Sequence, residues 1–133
     1  MIINFLINMN LEEYISKMKK IEENLLNFLD NEDNQEENFE NFFKTINDEN
    51  ILNNQYDLKI FLYLINKISK NHHRYRNFSD KIDQILQKMK EKIKLYYTNI
   101  EIFEIFKTNK RILLFLIEEE IFIIDQYVYK EMN

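Results

Sequence analysis

His72 and His73 are the only histidines of the chain, and histidine is the commonest metal ligand. Adjacent residues of a helix point about 100° apart, so this pair cannot bind one ion as two histidines four residues apart can. No cysteine is present to complete a ligand set, and the nearest carboxylate, Asp80, follows a predicted loop. We therefore expect no metal site. Together with Lys70 and Arg74, the histidines are typical of a helix carboxyl terminus, where positive charge favours the helix dipole.

The segment His72–Phe78 (HHRYRNF) mixes cations and aromatic rings, as single-stranded nucleic-acid sites do. Several lysines follow, but alternate helical residues are turned by about 200° from one another. Only Lys81, Lys88 and Lys92 are predicted to lie near one stripe. Because no known nucleic-acid motif surrounds them and the net charge is −5, nucleic-acid binding is an alternative that the sequence does not favour.

Catalytic groups are sparse. Ser69 lies three residues before His72, but no orienting acid is close in sequence. The carboxylates of Glu118–Glu120 are typical of a solvated helix end. The chain also has no glycine, proline, cysteine or alanine, which excludes a P-loop, a dinucleotide fingerprint, a zinc finger and a disulfide framework. We expect neither enzymatic activity nor a cofactor.

Charge is unevenly distributed along the sequence. Residues 1–56 carry 4 basic and 12 acidic groups, residues 57–117 carry 13 and 6, and residues 118–133 carry 1 and 5. The acidic and basic segments either face one another or simply place hydrated charges on the protein surface. Alternatively, the basic segment 57–117 binds nucleic acid or another anionic partner.

Apolar runs are too short for a membrane span, the longest being Ile112–Ile117. The amino-terminal MIINFLIN has neither a basic flank nor a small-residue cleavage site, so it does not resemble a signal peptide. These features predict a cytoplasmic protein that does not associate with membranes.

Helical periodicity runs through most of the chain. The first helix is predicted to begin at Asn10, with Glu13 completing a capping box, and to be followed by a loop over residues 30–37. Further helices are predicted over residues 39–46, 57–70 and 79–97.

The last third of the sequence predicts a tight helical hairpin. Thr98 and Glu101 form a capping box for a short helix, Thr108-Asn109 ends it, and a second short helix follows over residues 111–119. Residues 121–124 are β-branched and aromatic, which would suit a strand, but no partner strand is predicted. Helix is therefore assigned to residues 121–129, with Asp125 as a possible cap.

Two stretches resemble the region that precedes the repeats in large protist ankyrin-repeat proteins. They are LKIFLYLINKISKNHHR (58–74) and YYTNIEIFEIFKTNKRILLFLIEEEIFIID (96–125). The most specific parts are NHHR (71–74) and NKRILLFLIEE (109–119). The resemblance covers about half the chain and implies a helical domain that precedes protein-binding repeats. No ankyrin repeat follows here, and the T-P-L-H-x-A signature is absent.

The predicted fold class is therefore all-α, with antiparallel helical hairpins stacked in an α-solenoid-like array or an irregular bundle. An ankyrin-like helix pair is expected near the carboxyl terminus. Residues 1–133 are predicted to form a single domain with acidic amino-terminal helices (1–56), a long helical hairpin (57–97), and a short helix pair with a terminal helix (98–133). Five to seven helices are expected.

The predicted function is a non-catalytic protein–protein interaction or scaffold domain whose protein partner is not identified; a truncated, non-functional fragment is another alternative. A stacking unit needs a neighbour or a polar cap, so its carboxyl-terminal edge should expose apolar side chains. This edge could also mediate self-association. The residues predicted to bind a partner there are Ile121, Phe122, Ile124, Tyr127 and Val128, with Ile123 on the same surface.

Overall fold

The computed structural model describes the backbone of residues 2–31, 33–70 and 78–133, and the side chains of residues 11–31, 33–70 and 79–133. This part of the chain contains eight α-helices and no strand, which confirms the all-α class. The helices are α1 (Ile2–Asp30), α2 (Gln35–Asp48), α3 (Gln55–Lys70), α4 (Phe78–Lys88), α5 (Lys90–Tyr96), α6 (Asn99–Phe106), α7 (Lys110–Glu118) and α8 (Gln126–Met132).

Two compact units divide the chain, Met1–Glu49 and Asn50–Asn133. The first is a hairpin of α1 and α2, joined by a short turn in which Asn34 adopts φ 55°. Asparagine tolerates this left-handed conformation better than most residues, so it serves where glycine is missing. Phenylalanines make the contact between the two helices, and the Phe28 and Phe42 rings stack with their centroids 5.6 Å apart.

The second unit is built around α3 and α6. α3 contacts α4 and α6, while α6 also contacts α7 and α8. The Arg111 guanidinium donates to both Asp83 carboxylate oxygens at 3.0 and 3.2 Å, and so joins α7 to α4. The periodicity of the α6–α7 hairpin predicts that Phe103, Phe106, Leu113 and Leu116 pack together; three of them are buried, whereas Leu113 is half-buried.

Several helix boundaries differ from those predicted. α1 begins at Ile2, so the predicted amino-terminal cap at Asn10 is wrong; no glycine or proline separates the apolar start from the rest of the helix. The predicted fourth helix is interrupted at Met89, whose N–H is shared between the carbonyls of Ile85 and Leu86. This interruption raises the number of described helices to eight.

The helix assigned to residues 121–125 is also wrong. α7 ends in a Schellman motif, in which the Ile121 N–H donates to the Leu116 carbonyl at 2.8 Å and the Glu120 N–H donates to the Ile117 carbonyl at 3.0 Å. Glu120 has φ 60°, which turns the chain out of the helix. Helical structure resumes only at Gln126, after the predicted cap Asp125.

No helix in the described ranges has both the length and the apolar character needed to cross a membrane. A cytoplasmic location and a single domain over residues 1–133 stay predictions.

Candidate protein-binding groove

The segment between α7 and α8 begins in the core and then continues on the surface. Phe122 and Val128 are 2% and 0% exposed, and Ile121 is also buried. The prediction that these three side chains form an open edge is therefore wrong: Phe122 stacks on Phe103 of α6, with the ring centroids 6.5 Å apart. By contrast, the predicted surface residues Ile124 and Tyr127 are 46% and 60% exposed.

Asn99, in the first turn of α6, fixes the position of this segment (residues 121–125), which is neither helix nor strand. We call it the α7–α8 segment. Asn99 Oδ1 accepts the Ile123 N–H at 3.1 Å, and Asn99 Nδ2 donates to the Asp125 carboxylate at 3.3 Å. Asp125 in turn caps α8 by accepting the N–H groups of Tyr127 and Val128 at 3.0 and 2.9 Å. These bonds satisfy the N–H groups of Ile123, Tyr127 and Val128, which have no partner within a helix. The Ile123 side chain stays 64% exposed.

An open depression of about 580 Å³ lies beside this segment. We call it the carboxyl-terminal groove. Its lining comes from the end of α5, the end of α7 and the α7–α8 segment: Lys94, Ile117, Glu120, Phe122, Ile123 and Ile124. A neighbouring hollow of about 620 Å³ shares Lys94, Glu120 and Ile123 with it and extends to Asn99 and Tyr127. Apolar side chains therefore line the groove, and one cation and one anion stand at its border.

Acidic side chains outnumber basic ones where the groove meets the neighbouring hollow. Glu120 lines both, Asp125 lines the hollow, and Lys94 is the one basic residue of the two linings. Hydrogen bonds from the Val128 N–H, the Asn99 amide and the Tyr127 N–H hold the pKa of Asp125 below its ordinary value. Asp125 is consequently ionised at neutral pH and adds to the negative potential.

Tyr97 forms part of the wall of the neighbouring hollow. Burial of the phenol raises the pKa of Tyr97 above its ordinary value. Its hydroxyl donates to the Gln55 carbonyl at the start of α3, so the phenol is neutral and has a fixed position. Tyr97 therefore supports the groove without contributing charge to it.

The other candidate residues lie only partly within the described chain. His72, His73 and most of the segment 72–78 lie outside the described residues. Ser69 is buried, and its Oγ accepts a hydrogen bond from the Asn109 Nδ2 at 3.0 Å. Among the described side chains, no group of three or more histidines and carboxylates is placed to hold a metal ion.

The predicted lysine stripe is not an exposed face either. Lys81 is buried, Lys88 is exposed, and Lys92 lies over the Tyr96 ring at 5.9 Å from its centroid. A strand of nucleic acid could therefore not contact all three ammonium groups at once.

Sequence reasoning missed Asn99, Glu120 and Lys94. The position of Asn99 beside the Thr98 capping box gave no indication of its long-range bonds. Glu120 was interpreted only as a solvated acid because the left-handed helix-ending position usually carries glycine. Lys94 belongs to the groove only because α5 ends beside α7, which periodicity does not specify.

No protein-family model matches the chain, and no curated protein or solved structure matches it either.

Proposed function

We propose that this protein is a non-catalytic interaction module whose carboxyl-terminal groove binds an amphipathic segment of a protein partner. The main support for this proposal is that Ile123 and Ile124 are exposed beside an open groove, on a segment that Asn99 holds in place. Exposed apolar side chains that are clustered and positioned in advance lose little entropy on binding, and this favours association.

The charges around the groove indicate the chemistry of the partner. Residues 118–133 carry 5 acidic groups and 1 basic group, so the partner segment should carry lysine or arginine beside its apolar residues. One acidic group of the partner could pair with Lys94. A basic amphipathic helix combines these features, because residues three and four apart present one apolar face.

The proposal also includes an arrangement of the helices as stacked units. The α6–α7 pair is a short antiparallel helix pair that contacts α3 and α8, as a stacked helical unit would. Resemblance to the region preceding ankyrin repeats supports a role in holding proteins together. Under this proposal, α8 takes the place of a following repeat, since Val128 is buried while Tyr127 and Tyr129 are exposed.

Fluorescence anisotropy with a labelled helical peptide tests the proposal. The peptide contains only leucine and lysine, with leucines at helical spacing, and the comparison peptide replaces every lysine with glutamate. We expect saturable binding of the basic peptide and weaker binding of the acidic one. Ile123→Lys with Ile124→Lys should weaken binding of the basic peptide by about tenfold or more, because both apolar contacts are lost and two like charges are added.

Ile60→Lys is the matched control, because Ile60 is an exposed isoleucine of α3 that does not line the groove. It should change the affinity less than twofold. Equal losses in the two variants, or tighter binding of the acidic peptide, would contradict the proposal. Binding of random oligonucleotides that falls steeply with salt would instead support an anionic partner.

A further inference from the structure

A second groove lies within the first unit, between α1 and α2, and has a volume of about 180 Å³. Its polar lining consists of five asparagines and one threonine: Asn24, Asn27 and Asn31 on α1, and Asn38, Asn41 and Thr45 on α2. On each helix the three positions are spaced three and four residues apart, so they share a face. We call this the amide groove.

The antiparallel hairpin places the two sets of polar side chains along opposite sides of the amide groove. Phe28 and Phe42 lie between them with their rings stacked at an interplanar angle of 11°. Both rings are buried, at 5% and 4% exposed, so neither offers a free face to a ligand. The groove therefore presents both amide groups and apolar carbons to solvent, and the amides provide most of its hydrogen-bonding groups.

Amides in the middle of this groove are free to bind a ligand. At the end of the groove nearest the turn between α1 and α2, two amides are already bonded. Asn31 Oδ1 accepts the Asp33 N–H, and Asn38 Nδ2 donates to the Asp33 backbone carbonyl. Among the described side chains, the amides of Asn24, Asn27 and Asn41 make no hydrogen bond. These three residues keep both their donors and their acceptors.

The amide groove has no charged lining residue, although residues 1–56 carry 12 acidic groups and 4 basic groups. A ligand within it should therefore be uncharged, while basic groups on either side of that ligand would be attracted by the surrounding carboxylates. The ligand must also offer donors and acceptors on two opposite edges. The main chain of an extended peptide does so, because its N–H and C=O groups alternate between the two edges.

Dimensions agree with such a ligand. Asn24 and Asn31 are seven residues apart, which is about 10 Å along a helix, and an extended chain rises about 3.3 Å per residue. We propose that the amide groove binds about three uncharged residues of an extended peptide through their main chain, with basic residues of that peptide on either side. This site is independent of the carboxyl-terminal groove.

Fluorescence anisotropy on the full chain tests the inference with a labelled peptide in which three serines separate two pairs of lysines. A second peptide carries N-methyl groups on the serine amides, which removes main-chain donors without changing charge. We expect saturable binding of the first peptide, and at least about tenfold weaker binding of the second. The double variant Asn27→Leu, Asn41→Leu should show a similar loss, because leucine is close to asparagine in size and lacks the amide.

Asn47→Leu is the matched control, since Asn47 is an exposed asparagine of α2 outside the groove, and it should leave the affinity within twofold. Thermal melts by circular dichroism establish that each variant is folded. Absence of saturable binding, equal affinity for the N-methylated peptide, or an equal loss in Asn47→Leu would overturn the inference. Binding of maltohexaose that the double variant abolishes would overturn it in favour of a carbohydrate site.

Discussion

Phe122 and Ile123 are neighbours in sequence, yet 2% of the first side chain and 64% of the second are exposed. Phe122→Ala should therefore lower the free energy of unfolding by about 3–5 kcal/mol, because it leaves a cavity against Phe103. Ile123→Ala should change it by less than about 0.5 kcal/mol. Urea unfolding of the two variants measures both values. Similar losses would mean that the α7–α8 segment is not divided between core and surface as described.

Glu120 is the one residue other than asparagine among the described positions with a positive φ, at 60°. A Cβ in this conformation costs about 1–2 kcal/mol, while glycine loses more chain entropy on folding. Glu120→Gly should therefore raise the free energy of unfolding by about 0.5–1 kcal/mol. Glu120→Ala, which keeps the Cβ, should give no such gain. A destabilised glycine variant would show that the Glu120 side chain contributes contacts that outweigh the strain.

At the scale of the elements, the α7–α8 segment is bonded to α6 through one side chain, that of Asn99. Asn99→Ala removes the bond to the Ile123 N–H and the bond to the Asp125 carboxylate. The Ile123 amide should then exchange its hydrogen about fivefold faster, since a hydrogen bond contributes about 1 kcal/mol. Hydrogen exchange followed by NMR measures this rate.

Asn99→Asp is an informative comparison. It keeps an acceptor for the Ile123 N–H and places a second carboxylate beside Asp125. Protection at Ile123 should survive in part, whereas the amides of α8 should exchange faster. Unchanged exchange in both variants would mean that the segment is held by its apolar anchors alone.

The amino terminus of α8 should depend on pH through Asp125. Its pKa lies below the ordinary value of 3.8 because it accepts hydrogen bonds from the Val128 N–H, the Asn99 amide and the Tyr127 N–H. The unfolded state therefore binds its proton first as the pH falls, so the stabilisation is complete above about pH 4 and is lost as the pH falls through the folded-state pKa.

The difference in Tm between the wild-type protein and Asp125→Ala measures this dependence. It should be constant from about pH 7 to pH 5 and should shrink below about pH 4. Asp125→Asn keeps an acceptor that does not titrate, so it should show no such step relative to Asp125→Ala. A difference that grows on acidification would contradict the assigned hydrogen bonds.

Local signals predicted some of these elements well. The capping box of Thr98 and Glu101 and the cap at Asp125 are confirmed, since each depends on residues within a few positions. The break at Thr108-Asn109 was also predicted, although the role of Asn109 as the cap of α7 was not. Residues 121–125 were assigned wrongly because their geometry depends on Glu120 in an unusual conformation and on Asn99, 24 residues from Ile123. Neither periodicity nor propensity specifies such long-range bonds. Of the surface predicted from the stacking argument, Ile124 and Tyr127 are exposed, as expected.

At the scale of the whole molecule, the buried apolar side chains are unequally divided. Of those among the described residues, 6 lie in Met1–Glu49 and 21 in Asn50–Asn133. A chain of about 80 residues with a core of this size can fold by itself, whereas about 50 residues in two helices approach the lower limit for a stable domain.

A fragment of residues 50–133 should therefore be helical by circular dichroism and should unfold cooperatively in urea, while a fragment of residues 1–49 should lose much of its helical signal.

The larger fragment contains every residue of the carboxyl-terminal groove and none of the amide groove. It should bind the leucine–lysine peptide with the affinity of the full chain and should not bind the serine–lysine peptide through its main chain. Loss of cooperative unfolding in this fragment would show that α3 to α8 require residues 1–49 for stability. Retained binding of the serine–lysine peptide, sensitive to N-methylation, would place that site outside the first unit.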